Sequence, residues 1–129
     1  MIVQFVEPDF LDSYDRLSAG QKAKIDKIVP FLIDRVEQSR TIEDLISIPY
    51  SNIAITKVQA QDLTEYEFIE ALMPNLRKPG GHLTEARFPR GDLFFIAFDE
   101  FRIFFSLRGQ VFTFLIVALS QMYRIIGKR

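Results

Sequence analysis

The sequence predicts an α+β fold in which an N-terminal strand and a helical hairpin pack on an antiparallel β-meander. Three observations carry that expectation. The C-terminal third reads HLTEARF, LFFIAF, FRIFFSL and QVFTFLIVAL, four runs rich in Phe, Ile, Val, Leu and Thr. They are separated only by short breaks at Pro89-Arg90-Gly91-Asp92, Asp99-Glu100 and Arg108-Gly109, where turn-forming Gly and Asp collect. Upstream, apolar residues recur at helical spacing behind capping signals, which gives the sheet a helical layer to pack against.

The N-terminal elements follow from local chemistry. Ile2 to Val6 is a short apolar strand, stopped by Glu7-Pro8. Asp9 is placed to cap a helix carrying Phe10, Leu11, Tyr14 and Leu17 along one side. Ser18 with Gln21 three residues later has the form of a capping box, and Ile25, Ile28, Val29, Leu32 and Val36 follow at helical spacing. Pro30 inside that stretch removes one backbone donor and predicts a kink, or a helix in two pieces. Thr41-Ile42-Glu43-Asp44 opens a short helical turn that Pro49 ends, and 52–59 alternates as a further strand. Residues 62–73 carry Leu63, Tyr66, Ile69, Leu72 and Met73 as a helical stripe able to cover the meander's second face. The Pro-Gly-Gly of 79–81 marks a loop.

Alternation assigns the strand faces. In 101–107 the residues Phe101, Ile103, Phe105 and Leu107 form one apolar face, and Arg102, Ser106 and Arg108 share the other with Phe104, so a wet side is expected there. The runs 93–98 and 111–119 are apolar on both faces, which calls for a second cover, either from this chain or from a partner.

Composition narrows the chemistry. A chain of 129 residues, 48% hydrophobic and 26% charged, fits a single domain spanning 1–129, and no apolar run reaches the ~18 residues of a membrane helix. The first residues lack the pattern of a secretory signal, so a cytoplasmic protein without membrane partners is expected. With no cysteine and one histidine, disulfides, thiolate chemistry and multi-histidine metal centres are excluded within one chain, and no metal or other cofactor is expected. Net charge is only −1, yet residues 75–129 hold nine basic side chains against four acidic ones. Basic charge therefore gathers with the sheet, as a polyanion-facing surface requires, although ordinary surface segregation gives the same count.

The sequence contains no nucleotide-binding loop, serine-hydrolase elbow or zinc-protease motif. His82 has the near-neutral pKa of a general acid or base, and a lone histidine beside a Pro-Gly-Gly loop also serves as a surface or capping residue. Glu85 and Arg87 share a strand face and suit either an ion pair with a neighbouring strand or, with Arg102, an anion site, since arginine grips phosphate with a planar fork. Tyr123 and Arg124 place a phenol and a guanidinium after the last strand.

The opening IVQFVEPDFLDSYDRLSAGQKAKIDKIVPFL, the segment LRKPGGHLTEARFPRGDLFFIAF, the strand FRIFFSLRGQVFTFLIV and the tail MYR together resemble the RelE/ParE superfamily of small bacterial toxins, particularly its HigB and phage-encoded branch. HLTEAR matches that branch's Leu-x-x-Gly-Leu-x-Glu-x-Arg-like segment. FRIFF matches its Tyr-Arg-Ile-like strand, which puts the arginine at Arg102, whereas aligning on LFF puts Phe95 in that place. Residues 41–75 form an insertion relative to the family. The resemblance implies a RelE-like fold and a metal-independent endoribonuclease acting on mRNA, active or degenerate. It implies that Arg87 and Arg102 stabilise the scissile phosphate, that Tyr123 or His82 assists proton transfer, and that Lys78, Arg90 and Arg124 hold the RNA backbone. It also implies a cognate antitoxin and RNA or the ribosome as partners. The competing expectation is a non-enzymatic bacterial or prophage interaction domain, homodimeric or bound to another protein through its apolar strands.

Overall fold

The computed structural model describes residues 1–6, 9–47, 52–57 and 92–120. Their order is β1 (Ile2–Phe5), α1 (Asp9–Asp15), α2 (Ala19–Gln38), α3 (Ile42–Ile46), β2 (Ile53–Lys57), β3 (Asp92–Phe98), β4 (Phe101–Arg108) and β5 (Val111–Leu119). The α+β fold is as expected, with an N-terminal strand and a helical hairpin on a sheet built around an antiparallel meander. The five strands run in the order β1-β5-β4-β3-β2. Every contact in that sheet is antiparallel except the pairing of β1 with β5, which is parallel.

The turns follow the sequence breaks. Two residues, Asp99 and Glu100, join β3 to β4, and Asp99 takes the left-handed conformation with φ 50°, which Asp tolerates better than most residues. Gly109, at φ 58°, opens the two-residue turn between β4 and β5. The place beside β3 is held by β2, with Ile53 opposite Phe98 and Lys57 opposite Phe94. This corrects the expected consecutive pairing of the 82–88 run with 93–98. The 82–88 run itself, the 62–73 stripe and the Pro-Gly-Gly loop lie outside the described residues.

The capping box expected at Ser18 forms, and the structure adds a second at Thr41, where only a short helical turn was expected. At Ser18 the amide donates to Gln21 Oε1 at 2.9 Å, and the Gln21 amide returns a bond to Ser18 Oγ at 3.2 Å. At Thr41 the same reciprocal pair forms with Asp44, both bonds at 3.2 Å. Backbone bonds from Arg40 and Thr41, in that order, hold the Asp44 carboxyl below its ordinary pKa. Asp9 is the first residue of α1 and is buried, with the next amide, Phe10, donating to Val6 O at 2.9 Å. Helix α2 runs through Pro30 as one element, so it is not split there.

The core lies between the hairpin and one sheet face. Ile25, Ile28, Leu32 and Val36 from α2 meet Phe94 and Ile96 of β3, Phe101, Ile103 and Phe105 of β4, and Phe112, Phe114 and Val117 of β5. Aromatic rings cross the sheet in a row: Phe94 on Phe105 at 5.1 Å, Phe105 on Phe112 at 4.1 Å, and Phe5 on Phe114 at 4.9 Å between centroids. Leu11, expected on the buried side of α1, is 49% exposed, and Ser13 takes a buried position in its place.

A bulge in β5 explains its unbroken apolar run. Phe104 faces Ile116 and Phe105 faces Phe114, so Leu115 is an extra residue and the alternation changes phase there. Phe112 and Phe114 before it, and Val117 after it, therefore all reach the same core.

Candidate functional site

The sheet face turned away from the hairpin carries the described residue that sequence reasoning assigned to catalysis. Across its centre lie Leu93, Phe95 and Ala97 of β3, Arg102, Phe104 and Ser106 of β4, and Thr113, Ile116 and Ala118 of β5. The expected wet side of β4 is only partly wet. Phe104 and Ser106 are 0% and 1% exposed within the single chain, Arg102 is half-buried, and Arg108 is exposed at the far end. The two β4 arginines are six residues apart, about 20 Å along an extended strand, too far to share one phosphate.

The register makes room for Arg102. Its neighbours directly across are Ala97 on β3 and Ala118 on β5, so both adjacent strands present small side chains beside its stem. Phe95 lies two residues along β3 from Ala97, at the diagonal position that a long side chain reaches. The guanidinium carbon stands 4.6 Å from the centroid of the Phe95 ring, a cation–π contact. Stacking covers a face of the guanidinium, whereas its N–H donors point outward in its plane.

Of the other expected site residues, His82, Arg87, Tyr123, Lys78, Arg90 and Arg124 all lie outside the described residues. The structure brings Arg102 together with Phe95, a partner that the sequence did not nominate because a diagonal contact depends on strand register. Among the described residues there is no group of three or more metal-ligating side chains, and no helix is long and apolar enough to cross a membrane.

Two lysines near the sheet's rim are engaged by carboxylates. Lys57 pairs with Asp92 at 3.5 Å, and Lys24 of α2 reaches Glu100 at 2.9 Å and Asp99 at 4.0 Å. The hydrogen bond to Glu100, and then its charge, raise the Lys24 pKa above the ordinary lysine value.

A second feature lies on the hairpin. Phe10, Leu11, Tyr14, Ile25, Asp26, Val29 and Pro30 line an open, mainly apolar groove of about 330 Å³. The Tyr14 hydroxyl donates to the Asp26 carboxylate at its edge, and that bond is the first cause of a raised Tyr14 pKa. Lys22 Nζ sits 5.6 Å from the Tyr14 ring centroid.

No protein-family model matches the chain, and neither a curated protein nor a solved structure matches it.

Proposed function

We propose that this chain is a RelE/HigB-like toxin domain that acts on RNA, with Arg102 as a phosphate-binding arginine of its sheet. The observation that carries the reading is the setting of Arg102. It lies on the central strand of the sheet, half-buried, with its guanidinium stacked on the Phe95 ring. A guanidinium restrained in this way loses less freedom on gripping a phosphate than a lysine on a mobile stem. The order of strand, helical hairpin and meander supports the same reading. Arg87, Tyr123 and His82 complete the proposed chemistry by resemblance, with Lys78, Arg90 and Arg124 on the RNA backbone. An antitoxin partner and a cytoplasmic location belong to this proposal.

The test is induced expression of the intact protein and of Arg102→Ala, Arg87→Ala and Arg35→Ala, followed by growth measurement and transcript mapping. Loss of one well-placed charge-stabilising donor lowers the rate by ~10²–10³. Arg102→Ala and Arg87→Ala are expected to relieve arrest, and Arg35→Ala, on α2, to preserve it. Absence of arrest with the intact protein, or equal arrest by every variant, rejects the toxin reading.

The hairpin groove favours a second reading, a non-enzymatic domain bound to another protein. Core residues Phe10 and Ile25 form the groove's floor, and Leu11, 49% exposed, adds apolar surface that the fold's own core does not use. The homodimer version has less support, because the strand face that would form its interface is already buried at its centre within one chain.

A further inference from the structure

We propose that Phe95 is a positioning residue for Arg102: its ring holds the guanidinium so that the in-plane donors meet an RNA phosphate. The proposal rests on the RNA-acting reading above and adds a residue that neither motif spacing nor strand alternation identified. Three features support it. Ala97 and Ala118 flank Arg102 across both neighbouring strands, which lets the arginine stem lie over the sheet. Phe95 occupies the diagonal position and is itself braced by Phe104, the ring centroids being 5.7 Å apart. Phe104 is fully buried, so the brace is part of the packed sheet. A cation–π contact restrains the guanidinium plane without using its N–H donors, and a phosphate fork needs those donors.

The role separates from simple packing because leucine fills most of the phenylalanine volume without offering a π face. Tyrosine keeps the ring. The experiment compares the full-length intact protein with Phe95→Leu, Phe95→Tyr and Arg102→Ala in binding a fluorescently labelled hexauridylate over a range of salt concentrations. Thermal melting of each variant is recorded alongside. The Arg102 side-chain proton shifts are measured by NMR, because a ring stacked on the guanidinium moves nearby proton resonances upfield whether or not RNA is present.

In the expected result, Phe95→Leu abolishes the upfield shift and weakens binding about 2- to 30-fold, the range of a cation–π contact. The salt dependence of that variant stays near that of the intact protein, since the charge remains. Phe95→Tyr retains both the shift and the affinity. Arg102→Ala makes the logarithmic salt slope shallower by about 1, as loss of one phosphate contact does. Wild-type affinity in Phe95→Leu, with binding still lost in Arg102→Ala, overturns the positioning role and leaves the RNA reading intact. No RNA binding by the intact protein overturns both. If Phe95→Leu fails to fold, the intact protein and Phe95→Tyr decide: absence of the upfield shift in either rejects the contact.

Discussion

The hydroxyl of Ser13 on α1 accepts a hydrogen bond of 3.0 Å from the amide of Val117 on β5 and donates one of 2.8 Å to Phe10 O. The first of these bonds joins helix to sheet inside the core. Strand β1 pairs with β5 only as far as Phe114, and the Leu115 bulge follows, so the Val117 amide lies beyond the stretch that β1 serves. A buried amide left without a partner is costly, and the serine supplies the acceptor that the neighbouring strand no longer provides.

Ser13→Ala is therefore expected to destabilise the protein by about 1–3 kcal/mol, the cost of a buried donor left unmade. Ser106 is the contrast: its Oγ is buried with no hydrogen-bond partner, so Ser106→Ala is expected to be neutral or stabilising. Chemical denaturation of both variants, with hydrogen exchange at the Val117 amide, checks the pair. Equal effects from the two substitutions would show that burial alone, and not the bond to Val117, sets the cost.

The aromatic row makes the sheet's core hard to truncate. Phe105 is fully buried between Phe94 at 5.1 Å and Phe112 at 4.1 Å, so Phe105→Ala removes two ring contacts and opens a cavity. A loss of about 3–5 kcal/mol is expected. Phe95→Ala, at a half-buried position on the other face, is expected to cost less. Urea denaturation midpoints of the two variants, compared at equal m-values, give the ranking.

Two carboxylate contacts should respond to pH in opposite directions. The pKa of Lys24 is raised in the folded protein, so its contact with Glu100 contributes fully below the ordinary lysine pKa and is lost as pH rises through the raised value. The pKa of Asp44 is lowered, so the Thr41 cap contributes above the ordinary carboxylate pKa and is lost as pH falls through the depressed value. Lys24→Met should remove a little of the alkaline dependence, and Asp44→Asn part of the acid dependence. Both effects are expected to be small because the groups are exposed, and the lysine effect should shrink in high salt. Melting temperatures across pH at two salt concentrations measure them.

The sequence by itself determined what depends on near neighbours along the chain. Both capping boxes, the α2 stripe from Ile25 to Val36, the tight turns at Asp99 and Gly109 and the core face of β4 follow from spacings of two to four residues. Those interactions form within a segment and need no knowledge of where the segment packs. The tertiary structure decided what depends on register and on distant partners. It set β1 beside β5, put β2 in the place beside β3, shifted the phase of β5 at Leu115, buried Ser13 against Val117 and stacked Arg102 on Phe95. A one-residue change of pairing moves a side chain to the opposite face of a sheet, so no contact between strands can be read until the register is fixed. Arg102 was legible as an arginine in a wet position of an apolar strand. Its aromatic partner was not, because Phe95 becomes its diagonal neighbour only once Ala97 is set opposite it.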